Sequence, residues 1–96
     1  MFKRGRNRLV NFKIKFTKQA SIDANYLKKS NLELKAKEII EIIKTNPFSN
    51  PPPFEKLVGD LRGMYSRRIN IQHRIVYSVD LENRIVKIVR MWKHYK

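Results

Sequence analysis

The chain has 96 residues, enough for one domain with a single modest core and too few for two. Its 22 lysines and arginines against 8 acidic residues give a formal net charge of +14, an excess that drives binding to a polyanion by counterion release, while a 42% hydrophobic content argues against disorder by composition. The lack of cysteine excludes disulfides and thiolate metal sites, two histidines at no ligand spacing give no zinc site, and no apolar run approaches the roughly 20 residues of a membrane span.

Residues 1–10 begin Met1-Phe2-Lys3-Arg4-Gly5-Arg6-Asn7-Arg8 and are expected to form a flexible basic arm, with residues 11–96 as one domain. No apolar stretch follows the arm, so it is not read as a secretory signal, and a soluble, cytoplasmic protein is expected. Asn11-Phe12-Lys13-Ile14-Lys15-Phe16 alternates with a period of two, which predicts a strand with Phe12, Ile14 and Phe16 facing the core. Thr17 is placed to cap a helix running to about Lys29, with Ala20, Ala24 and Leu27 on one stripe. Ser30-Asn31-Leu32-Glu33 fits a capping box opening a second helix, whose apolar face is Leu32, Ala36, Ile39, Ile40 and Ile43. Asn46-Pro47 ends that helix, and Pro51-Pro52-Pro53 makes a stiff extended loop delivering Phe54-Glu55-Lys56-Leu57. Beyond Gly59 and Gly63, strands are predicted at about Tyr65 to Asn70, Arg74 to Val79 and, after the turn Asp80-Leu81-Glu82-Asn83, Arg84 to Trp92. The order β-α-α-β-β-β implies an α+β fold with two helices on one face of a mainly antiparallel sheet and the other face partly open.

Strand parity sorts the charges. With Tyr65, Ile69, Ile75, Tyr77 and Val79 turned toward the helices, Arg68 and Arg74 stand on the open face, because neighbours on a strand alternate sides. Taking Val89 and Met91 as inward sends Arg90, Trp92 and His94 outward, although Lys87 then points inward. Arg67 shares the inward parity and is expected at the sheet edge or on a structural carboxylate. His73 sits at a turn and reads as structural, paired with a backbone group. Glu55 is a lone acid in a basic loop, open to a surface salt bridge with Lys56 or Arg62 as well as to a role in chemistry.

Four segments together resemble a known family: Phe54-Glu55-Lys56-Leu57, Tyr65-Ser66-Arg67-Arg68-Ile69-Asn70, Gln72-His73-Arg74-Ile75-Val76-Tyr77 and the closing Trp92-Lys93-His94-Tyr95. They resemble the YoeB branch of the RelE superfamily, ribosome-dependent mRNA endoribonuclease toxins of bacterial type II toxin–antitoxin modules, over about residues 11–96. The resemblance implies a RelE-like fold and a role for each matching residue. Glu55 corresponds to the general base that takes the proton of an mRNA 2′-OH. Arg74 corresponds to the group holding the scissile phosphate, His94 to the general acid for the 5′-oxygen leaving group, and Tyr95 to its substrate-orienting neighbour. Arg68 corresponds to a second phosphate contact, and Lys56, Arg90 and Lys93 are taken as further RNA contacts. The chain departs from the pattern at Val58, where some members carry a lysine, and at Lys96, one residue beyond the usual His-Tyr end.

Such a reaction needs no metal or cofactor, because the ribose already holds its 2′-OH beside the phosphorus. It needs a base, an acid and cations around the phosphorane. The implied partners are mRNA in the ribosomal A site, rRNA, an acidic antitoxin of the YefM/Phd type and, as a further candidate, a second copy of the chain. A non-catalytic basic RNA- or ribosome-binding module is the competing reading; it fits the charge equally well but gives no reason for Glu55 together with a terminal His-Tyr.

Overall fold

The structure, a computed structural model, describes residues 11–91. The expected arm at 1–10 and the terminal segment 92–96 lie outside the described residues. Strand β1 (Lys13–Phe16) leads into helix α1 (Lys18–Lys29) and helix α2 (Glu33–Thr45), followed by strands β2 (Glu55–Lys56), β3 (Met64–Arg68), β4 (Arg74–Asp80) and β5 (Ile85–Arg90). A single 3-10 turn, Gly59–Leu61, separates β2 from β3. The five strands lie in the order β1-β5-β4-β3-β2; β1 runs parallel to β5 and every other pair is antiparallel. No described helix is long and apolar enough to cross a membrane.

Thr17 performs the expected cap. Its Oγ1 accepts the Ala20 N–H at 3.0 Å and also donates to the Val89 carbonyl at 2.8 Å, so one hydroxyl both starts α1 and straps it to β5. Ala20 and Leu27 are buried beneath α1 and Ala24 packs beside them. The capping box at Ser30 does not form. Ser30 instead closes α1: Asn31 takes a left-handed φ of 62°, Leu32 N–H reaches back to the Leu27 carbonyl at 2.9 Å and Asn31 N–H to Lys28 at 3.3 Å. That pair of bonds is the Schellman arrangement, which uses an Asn where the chain must reverse, and it leaves α2 with Leu32 as its first boundary residue and no side-chain cap. Glu33 still opens α2 favourably, as an acid in the first turn and in a 3.8 Å pair with Lys37. Ala36, Ile39 and Ile43 are buried, with Leu32 and Ile40 packed against them, as their spacing predicts.

Three expectations about strands need correction. Phe16 has the inward parity but is 46% exposed, because β1 is an edge strand and the helices leave its end uncovered. The segment read as a loop at Glu55-Lys56 is a short edge strand paired to Ser66 and Tyr65. In β5, Val86 and Ile88 are the fully buried residues and Lys87 is exposed. Consecutive residues Val76 and Tyr77 face Arg90 and Ile88, so Val89 is an extra residue, and this bulge reverses the alternation and returns Met91 to the core.

Asp23 is the buried acid of the helical layer. It accepts from Gln19 Nε2 at 2.9 Å and from the Met91 backbone N–H at 3.1 Å, tying α1 to the chain just beyond β5. Asp23→Ala strands that buried N–H and should cost about 1–3 kcal/mol of stability. Urea unfolding checks this; a midpoint equal to that of the wild type would mean that the Met91 amide finds another partner.

Candidate active site

The open face is organised by register. Glu55 on β2 is opposite Ser66 on β3, Ser66 opposite Val76 on β4, and Val76 opposite Arg90 on β5, which sets four side chains in a row on one side of the sheet. One step along, Arg68 faces Arg74 across β3 and β4. Two arginines directly opposite repel unless anions lie between them, and Glu55 supplies one: its Oε1 accepts from Arg74 Nη1 at 2.9 Å. The same Nη1 donates to Ser66 Oγ at 3.3 Å, which fixes the direction in which the guanidinium lies. Pro52, Pro53, Glu55, Ser66, Arg68 and Arg74 enclose a hollow of about 110 Å³. The Glu55 side chain is 64% exposed and that of Arg74 25%, so the acid is reachable from solvent while the arginine is anchored.

The opposite side of β3 holds the loop that shapes this hollow. Arg67 is 1% exposed and donates through Nε to Tyr77 Oη at 3.0 Å, through Nη2 to the carbonyls of Pro47 and Ser49 at 2.9 Å each, and through Nη1 to the carbonyl of Pro52. Its partners are three backbone carbonyls and a tyrosine hydroxyl, where a sheet edge or a carboxylate was expected. Residues 47–53 hold several carbonyls that no regular ladder satisfies, and one planar fork collects three of them. Tyr77 Oη also donates to the Pro47 carbonyl at 2.8 Å. Burial pushes that hydroxyl above the usual tyrosine value, against the opposing pull of the Arg67 charge. Phe48, Phe54 and Tyr65 form a cluster with centroids 5.1–5.9 Å apart, in which Tyr65 meets both phenylalanines edge to face, and the Arg67 guanidinium lies 5.1 Å from the Phe54 ring centroid. Pro52, Pro53 and Glu55 are thereby set by packing behind the sheet.

The structure brings Glu55, Arg68 and Arg74 together, and Arg90 shares their face at the next strand. Lys56 is turned away, since its partner Tyr65 belongs to the helix side. The salt bridge expected for Glu55 with Lys56 or Arg62 is made with Arg74 instead. Lys93, His94 and Tyr95 lie outside the described residues. His73 is buried as expected, and its ring Nδ1 is partnered by a side chain. Asn70 Oδ1 accepts the backbone N–H groups of Gln72 and His73 at 2.9 and 2.8 Å, so the ring Nδ1, at 2.9 Å, must be the donor to that same oxygen. Ser66 was not singled out from the sequence, although its position two residues before Arg68 on one strand puts both on the same face.

The sequence pattern of YoeB-like toxins of bacterial type II toxin–antitoxin systems matches residues 16–95. The chain belongs to this family. A Toxin YoeB of a Synechocystis strain is 36% identical over 74 residues, covering 77% of each chain. Among solved structures, the YoeB/ParE toxin from Agrobacterium tumefaciens superposes with a TM-score of 0.79 at 28% identity, covering 88% of this chain and 100% of that one. YoeB of Staphylococcus aureus in its YoeB–YefM complex superposes with a TM-score of 0.74 at 37% identity, covering 88% and 98%, and has also been solved as a dimer. The residues carrying the hollow, from Pro52 to Arg74, fall inside the matched span. The protein is a toxin of a toxin–antitoxin system, with two helices on one face of a mostly antiparallel five-stranded sheet.

Proposed function

We propose that this toxin is a ribosome-dependent endoribonuclease that cuts translated mRNA without a metal. The observation that carries the reading is the 2.9 Å contact between Glu55 and Arg74 beside Arg68, in a hollow on the basic face of the sheet. In the proposed step Glu55 removes the proton of a 2′-OH, O2′ attacks the adjacent phosphorus, and the P–O5′ bond breaks as His94 protonates O5′. The products are a 2′,3′-cyclic phosphate and a free 5′-hydroxyl. Arg74 and Arg68 hold the non-bridging oxygens as charge accumulates on them. An entering phosphate competes with Glu55 for the Arg74 fork, so substrate itself detaches the carboxylate and leaves it facing the ribose. Tyr95 orients the substrate, and Arg90 and Lys93 add contacts to the RNA. The toxin would work in the cytoplasm, with residues 1–10 as an arm outside the catalytic domain.

A cognate antitoxin of the YefM type is proposed as the neutralising partner, supported by the solved S. aureus YoeB–YefM complex and by the charge of +14, which suits an acidic segment. A homodimer is proposed on the likeness to the S. aureus YoeB dimer. Toe-printing of mRNA on ribosomes tests the central reading. New ends bearing 2′,3′-cyclic phosphate are expected when protein, mRNA and ribosomes are all present, and none when ribosomes are left out. Inhibited translation with no new mRNA ends would assign the protein to the non-catalytic binding modules.

A further inference from the structure

The parallel ladder at the far edge of the sheet sets Lys15 directly opposite Lys87, and Lys87 directly opposite Ser78. Lys13 lies two residues before Lys15 on the same side, so Lys13, Lys15 and Lys87 share the face that carries Arg68, Arg74 and Arg90. All three lysines are exposed, and among the described residues none is ion-paired. A hollow of about 350 Å³ lies here, lined by Lys15, Ser78, Val79, Asp80, Ile85 and Lys87. Asp80 is its one acid, and both carboxylate oxygens are engaged by Asn83, at 3.1 Å from the backbone N–H and 2.8 Å from Nδ2. Like charges placed directly opposite on neighbouring strands destabilise a sheet. A β-sheet that keeps Lys15 against Lys87, with Asp80 in the same hollow but ion-paired to neither, bears a cost in the free protein that a bound anion would reduce.

We propose that Lys15, Lys87 and Lys13 form a second phosphodiester-binding track, which seats RNA backbone beyond the hollow of Glu55 and Arg74. Neighbouring strands are about 4.8 Å apart, so the two ammonium groups reach adjacent phosphates of one chain, whereas β1 and β2 are four spacings, roughly 19 Å, from each other. One phosphate cannot span that distance, but an extended nucleotide chain crossing the strands can, with Arg90 on β5 between the two ends. None of the residues lining the hollow is an exposed apolar side chain, so the anchor that a protein partner uses is missing there. The track rests on the reading of this toxin as RNA-directed and extends its substrate contact past the scissile phosphate.

The test is the double variant K15Q/K87Q, with an oligouridylate as probe and anisotropy titrations between about 50 and 200 mM salt. Loss of two phosphate contacts on a single strand should flatten the slope of log K against log salt by about 1.4. Thermal stability should equal or exceed that of the wild type, because the repelling pair is gone. An unchanged salt slope overturns the track, even if the wild type cleaves mRNA. A slope that stays unchanged while affinity for polyglutamate falls also overturns it, in favour of an acidic protein partner. A flattened slope in a protein that proves unable to cleave mRNA upholds the track and sinks the endoribonuclease reading alone.

Discussion

An Arg67→Met protein is expected to unfold at a much lower urea concentration than the wild type, with a loss of about 3–5 kcal/mol. Methionine approximates the volume of the buried stem, so the loss measures the guanidinium and little else. Without it the carbonyls of Pro47, Ser49 and Pro52 and the hydroxyl of Tyr77 all lose a donor at once, and bonds from a charged group are the stronger kind. Arg67→Lys should recover only part of the loss, because one ammonium cannot reproduce a planar fork serving three carbonyls. The aromatic cluster of Phe48, Phe54 and Tyr65 limits the damage to the loop, so local loosening near Pro52 and Pro53 should precede global unfolding. Stability within about 1 kcal/mol of the wild type would mean that water replaces the guanidinium and that Arg67 does not hold the loop.

Glu55→Gln is expected to reduce mRNA cleavage by a factor of order 10² or more, while ribosome binding changes little. The substitution keeps the shape of the side chain and its exposed position on β2, and removes only the capacity to take a proton. Arg74 loses its ionic partner but keeps Ser66 Oγ, so the guanidinium stays in the hollow. A salt bridge exposed to this degree contributes little to stability, and the melting temperature should move by no more than a degree or two. Single-turnover cleavage on programmed ribosomes separates the possibilities. Near-normal rates would remove Glu55 from the reaction and leave it as a counter-ion for Arg74.

Much of the architecture is legible in local pattern. Thr17 before a helical stripe, the period of α2 and the alternation around Tyr65 and Tyr77 all express preferences that tertiary packing reinforces. The readings that failed depended on neighbours distant in sequence or on competition for one residue. Ser30 satisfies a capping-box pattern, but the reversal at Asn31 needed the same turn to end α1, and one residue could not serve both helices. The bulge at Val89 has no local signature; Lys87, a charge at an inward position, was the visible symptom that the alternation must break. β2 is two residues long and exists only because β3 offers it an edge. In the candidate site, the shared face of Arg68 and Arg74 follows from parity alone, and so does that of Ser66. The 2.9 Å approach of Glu55 to Arg74 depends on the course of the proline loop, which Arg67 sets from the other side of the sheet.

The parallel pairing of β1 with β5 joins an early strand of the chain to the last described one, bridging partners 72 residues apart, as the Thr17–Val89 bond also does. Contacts of that separation are the slowest to form, since a long loop must close before they return any energy. During synthesis β1 leaves the ribosome first and has no strand to join until Arg90 has followed. Phe12 and Ile14 stay without their sheet neighbours for that interval. A chain built in this order cannot assemble its complete sheet until β5 has been made, so every shorter nascent chain lacks the partner that closes β1 onto the sheet.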